Sequence, residues 1–149
     1  MNGKLRYLGL AVIVLGVIGL AMGIVFVQQG FAQEAWLEQT MNQEQITMPD
    51  GSGTVINNEA TARAAGDLVR QHRHSIAPTY GDLLGGQNFD PTNPTQLTYA
   101  QALNLENYLY LAVTAFGVFT VVKVTGAFMI VAGLALGATG YAFRRLGRG

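Results

Sequence analysis

Two stretches of apolar sequence decide most of what this chain can become. Residues 5–27, LRYLGLAVIVLGVIGLAMGIVFV, carry Arg6 as their only charge. At about 23 residues they are long enough to cross ~30 Å of hydrocarbon. Residues 108–143 form a second run, interrupted by Lys123 alone. With 50% hydrophobic and 12% charged residues in the whole chain, the balance is more apolar than that of an ordinary soluble domain. The sequence predicts a mainly α membrane protein. Two long antiparallel transmembrane helices enclose a small, mostly helical insertion.

Charge is segregated along the chain although the net charge is zero. Lys4 and Arg6 accompany the first run, Arg144, Arg145 and Arg148 follow the second, and all 9 acidic residues lie from Glu34 to Glu106. Short basic flanks remain in the cytoplasm, so both termini are expected inside and the middle segment outside the plasma membrane. A cleaved signal peptide is the rival reading, with Gly30 and Ala32 as small residues before a cut at Gln33. Its apolar core would run only about 7–15 residues. The absence of cysteine leaves the outer segment to be held by packing.

A helix over residues 108–143 would extend ~54 Å, too long for one crossing. Lys123 divides it, snorkelling at the outer headgroups while Arg144 and Arg145 anchor the inner side. The expected organisation is a cytoplasmic N-terminus (1–4), a first span (5–27), an extracytoplasmic domain (28–107), an apolar neck helix (108–122), a second span (123–143) and a basic tail (144–149). The alternative of two crossings within the second run would put the arginine-rich tail outside. Thr98 and Gln101 form a capping-box pattern that predicts a helix start near Tyr99. Trp36 suits a membrane interface.

Glycine recurs every seven residues at Gly9, Gly16, Gly23 and Gly30, and again at Gly126, Gly133, Gly140 and Gly147. Gly19 with Gly23, and Gly133 with Gly137, add the small-xxx-small spacing that lets backbones approach in lipid. Membrane helices are glycine-rich in general, but a shared period on both helices predicts a packed seam.

In the middle segment, residues 45–48 and 54–56 flank Pro49-Asp50-Gly51-Ser52-Gly53 and read as a small β-hairpin or an extended loop. Asn58 can cap an alanine-rich helix from about Glu59, with Arg63 and Asp67 four apart and Ala64, Leu68 and Val69 facing inward. Pro78 ends it. Asp90-Pro91-Thr92-Asn93-Pro94 is a loop signal.

The stretch LVRQHRHS holds both histidines, His72 and His74. Two residues apart on a helix, they point to nearly opposite sides, whereas a helical metal pair needs spacing of three or four. Arg70 and Arg73 beside them repel a cation and suit the negative end of a helix dipole. No nucleophile elbow, phosphate loop or zinc-protease motif occurs. No metal, cofactor or nucleic-acid partner is expected, and no enzymatic activity.

The order of first span, Glu44-Gln45-Ile46-Thr47, an alanine-rich helix ending in His72, Thr79-Tyr80-Gly81, Tyr99-Ala100-Gln101-Ala102, and Leu111-Ala112-Val113 leading into the last span resembles a group of small bacterial two-span membrane proteins. Many of them carry the label "aromatic ring-opening dioxygenase". The resemblance covers most of the chain and implies the two-span architecture. Extradiol ring opening uses an iron held by two histidines and a carboxylate, and this sequence departs from that arrangement.

Two functions are expected from these readings. The first is a non-catalytic structural or accessory subunit of a homo- or hetero-oligomeric envelope complex. Its partners are the lipid bilayer and either a second copy or another membrane protein. Phe116 and Phe119, in a neck whose apolar side chains cover every side of a helix, are the expected partner contacts. The second is an outward-facing ligand-binding or sensing module.

Overall fold

A computed structural model describes residues 2–147. Four helices follow one another: α1 (Asn2–Glu44), α2 (Glu59–Ile76), α3 (Tyr80–Leu84) and α4 (Pro94–Leu146). Helices α1 and α4 are long and apolar enough to cross a membrane. The chain divides into two compact units. The first comprises residues up to Glu34 and from Val118 onward, the second Ala35–Gly117.

The first unit is an antiparallel helix pair. Every buried residue in it, among those described, is a glycine: Gly9, Gly16, Gly23 and Gly30 on α1, Gly126, Gly133 and Gly140 on α4, and Gly147 just past its end. Large side chains such as Leu8, Leu15, Val17, Phe128, Val131 and Leu134 point away from the partner helix and are exposed. In water so much exposed apolar surface would drive association. In lipid it is the ordinary outer face of a spanning pair.

The second unit has a small core of Ile56, Ala62, Ala65, Val69 and Leu109, against which Met41, Met48, Ala102, Ala112 and Val113 pack. Three segments therefore converge on one face of α4. Alanine and glycine on α2 let it lie close, and Gly66 is the tightest point, where a Cβ would stand 3.3 Å from the Tyr110 ring. Helix α1 ends where Gln45 takes a left-handed φ of 51°, and its Nε2 donates to the Asn42 carbonyl at 2.6 Å. That conformation satisfies a last-turn carbonyl and turns the chain away.

Several sequence expectations are resolved or corrected here. Residues 45–56 form an extended loop and not a β-hairpin. The described residues contain a single antiparallel bridge, Thr47 to Val55, with Met48 N–H donating to Thr54 O and Ile56 N–H to Ile46 O, both at 2.8 Å. The arms are too short for a ladder, and Ile56 is drawn into the core against α2 instead. Helix α4 starts at Pro94, earlier than the Thr98 pattern predicts, because the Asn93 side chain accepts from Thr95 N at 3.0 Å and Gln96 N at 3.3 Å. Proline suits the first helical position, since its missing N–H would lack a partner there anyway. Neck and second span are one continuous helix through Lys123, a point the sequence leaves open. On α2 the buried face is Ala62, Ala65, Gly66, Val69 and Arg73, while Ala64 is exposed and Leu68 half-buried. Arg63 pairs with Glu59 at 3.0 Å, not with Asp67. The N-cap itself stands as read: Asn58 accepts from Thr61 N at 3.0 Å, and the Thr61 hydroxyl accepts from Asn58 N at 3.2 Å.

Candidate functional site

The glycine seam sets the geometry of the first unit. A Cβ on Gly9 would lie 2.7 Å from Gly140 O, one on Gly16 2.7 Å from Gly133 O, and one on Gly23 2.6 Å from Gly126 O, with reciprocal values of 2.6–2.7 Å from the α4 side. No side chain fits at these distances. In glycine a hydrogen occupies that direction and points at the facing carbonyl, an arrangement that stabilises close helix contacts. Gly19 stands at the edge, where a Cβ would be 3.7 Å from Gly133 Cα, whereas one on Gly137 would meet nothing within 4 Å. Extending the register places Leu5 level with Arg144 and Val27 level with Val122.

Lys123 lies against Gly30, where a Cβ would be 2.5 Å from its Cγ. Its ammonium donates to Glu34 Oε2 at 2.6 Å and sits 4.8 Å from the centre of the Phe31 ring. Both charged side chains are mostly covered, with 20% and 24% of their surface exposed. Lys123 was expected to snorkel towards headgroups; in the structure its charge is met by a carboxylate from α1. Arg144 and Arg145 are exposed in the last turn of α4, and Trp36 is exposed in the second unit.

The second unit contains a buried polar cluster centred on Arg73. Its Nε donates to Glu106 Oε2 at 2.7 Å and Nη2 to Glu106 Oε1 at 3.4 Å, a forked pairing. Nη1 donates to the Tyr99 hydroxyl, and Tyr99 is completely buried. The guanidinium carbon is 5.0 Å from the Tyr99 ring centre, and Tyr80 leans on that ring from α3, with centroids 6.1 Å apart. Glu106 raises the Arg73 pKa above its ordinary value, outweighing the opposing effect of burial. Arg73 Nη2 also lies 3.1 Å from His74 Nε2; because a guanidinium can only donate, that ring nitrogen accepts. His72 and His74 are both exposed. No group of three or more histidine or carboxylate side chains that could hold a metal ion forms among the described residues.

The sequence places Arg73 in the last turn of α2, where it stands, but predicts neither its burial nor a role for Glu106. A signal was available. Ala62, Gly66, Val69 and Arg73 follow one another at spacings of three and four, as do Tyr99, Ala102, Glu106 and Leu109, so each charged residue continues an apolar stripe. Of the two aromatic residues expected to meet a partner, Phe116 lies inside the chain at 2% exposure and Phe119 is half-buried. The exposed face of α4 in the second unit carries Tyr108 and Leu111 instead, at 70% and 63%.

In comparisons with known proteins, no family model, curated protein or solved structure matches the chain.

Proposed function

We propose that this chain is a non-catalytic integral membrane protein of the plasma membrane that serves as a structural or accessory subunit of a homo- or hetero-oligomeric envelope complex. Both termini are cytoplasmic in this reading, and residues 28–107 face outward. The observation that carries it is the exposure of Tyr108 and Leu111 on α4, opposite the side on which Leu109 and Val113 meet the core. Each large apolar side chain left in water forgoes ~1.5–3 kcal/mol of burial. A second copy or another membrane subunit would recover it.

The test has two arms. Single cysteines at Lys4 and Leu146 should be shielded from an impermeant thiol reagent in intact cells, while one at Ser52 should label. Labelling at both Ser52 and Leu146, with Lys4 shielded, would establish the three-span alternative. Leu111→Asp should then abolish the assembly seen on mild detergent extraction without releasing the chain from the membrane. If the parent is monomeric and the variant migrates with it, the subunit reading fails.

The sensing reading has an observation of its own. An apolar cleft of about 140 Å³ lies among Met41, Ile46, Ile56 and Leu109, with Thr40 and Glu44 at its edge. A small apolar ligand seated there would protect the amides of residues 45–56 from hydrogen exchange. Protection that depends on added ligand, and not on protein concentration, would favour sensing over assembly.

A further inference from the structure

We propose that the basic end of the helix pair binds the phosphate of an anionic phospholipid headgroup in a cleft built from both helices. The cleft, of about 330 Å³, is lined by Gly3, Arg6, Tyr7 and Leu10 of α1 and by Arg144 of α4. The proposal rests on the reading of this unit as membrane-spanning.

The two arginines are brought to one cleft by the seam. A Cβ on Gly9 would stand 2.9 Å from Arg144 N and 2.7 Å from Gly140 O, so the backbones touch about one turn from Arg6. The sequence has no acidic side chain before Glu34 or after Glu106. Neither Arg6 nor Arg144 takes part in an ion pair among the described residues. Like charges sharing a cleft repel, and an anion between them converts that repulsion into two attractions. The guanidinium fork matches phosphate oxygens in a way a lone ammonium does not.

The neutral residues suit a lipid better than a free ion. The ring of Tyr7 and the side chain of Leu10 give the cleft an apolar wall, and the Tyr7 hydroxyl adds a donor. Leu5 is level with Arg144, so the cleft sits where the apolar spans begin, at the depth of the phosphates of one leaflet. Basic pockets between spanning helices recognise anionic headgroups by this combination of charge and depth.

The test uses the full chain in neutral detergent, offered dioleoyl phosphatidylglycerol or dioleoyl phosphatidylcholine and read by native mass spectrometry. The parent should retain the anionic lipid about tenfold over the zwitterionic one. Arg6→Gln with Arg144→Gln should erase the preference, whereas Arg145→Gln, which removes a charge from the same turn but outside the cleft, should leave it. Leu10→Trp should lower retention by filling the cleft with both arginines in place. Equal loss in Arg145→Gln, or full retention in Leu10→Trp, would mean diffuse attraction and overturn the site. Displacement of the lipid by millimolar inorganic phosphate would assign a free-ion site and overturn the lipid. Alkaline carbonate extraction separates the two readings. A chain that resists extraction but shows no lipid preference refutes this site alone, whereas release by carbonate refutes the spanning reading beneath it.

Discussion

Alanine at Gly133 should loosen the helix pair, while alanine at Gly137, one turn along the same helix, should tighten it or leave it unchanged. A Cβ on Gly133 would meet Gly16 O at 2.6 Å, Leu20 N at 2.7 Å and Leu20 Cα at 3.2 Å, all backbone atoms that cannot rotate aside. The helices must part, and overpacking of this kind costs about 1–3 kcal/mol. Against that, alanine gains roughly 0.5–1 kcal/mol over glycine within a helix. At Gly137 only the gain remains, because nothing lies within 4 Å of the added methyl. The alanine gain is common to both variants, so they should differ by the overpacking term, about 1–3 kcal/mol, with Gly133→Ala the less stable. The chain has no cysteine, so pyrenes on Lys4→Cys and Leu146→Cys report closure of the pair by excimer emission during titration with dodecyl sulfate in mixed micelles. Gly16→Ala combined with Gly133→Ala should cost less than the sum of the single changes, since each already forces the same separation. Equal midpoints for Gly133→Ala and Gly137→Ala would refute the seam.

The buried Arg73–Glu106 pair should behave as a unit. Glu106→Gln alone should destabilise the second unit by about 3–5 kcal/mol, and Arg73→Met with Glu106→Leu by less than that, measured by hydrogen exchange on α2. Asp50 accepts from Ser52 N at 2.9 Å, a bond that holds its carboxyl below the ordinary aspartate value. Its contribution is present above that ordinary value and lost as pH falls through the lower one. The Ser52 amide resonance should thus move only in acid below the usual carboxylate range, and movement nearer neutrality would refute the turn.

How far the sequence could be read depended on whether a residue's use was local. Asn58 caps α2 through its own third neighbour, so its role was legible from spacing. The glycine period was legible because close approach is the main gain a spanning helix obtains from glycine. Helix α4 began early because two capping signals competed, and Asn93-Pro94 fixes a backbone angle that Thr98 cannot. The burial of Arg73 and Glu106 was not legible because neither charge makes sense alone. They are 33 residues apart, and only packing α2 on α4 brings the one demand to meet the other. Phe116 was assigned outward for a related reason: an all-round apolar helix gives no face to prefer until Leu109 and Val113 show which side is covered.

The glycine ladder also has a property that its close contacts conceal. Notches that recur every seven residues on both helices fit together in more than one way. Sliding α4 by one repeat would set Gly16 against Gly140, Gly23 against Gly133 and Gly30 against Gly126, with Gly9 facing Gly147. By glycines alone that mismatched setting looks better than the one adopted. What selects the native setting is the single rung that breaks the pattern, where the Lys123 stem fills the notch at Gly30 and its ammonium reaches Glu34. After a slip, Lys123 would be carried about 10 Å along α1, two turns past its carboxylate, to the level of Leu37 and Met41, and Glu34 would lose the ammonium that meets it. The ion pair thus acts as an index mark on an otherwise repeating scale, distinguishing between settings that the six glycines in mutual contact cannot tell apart.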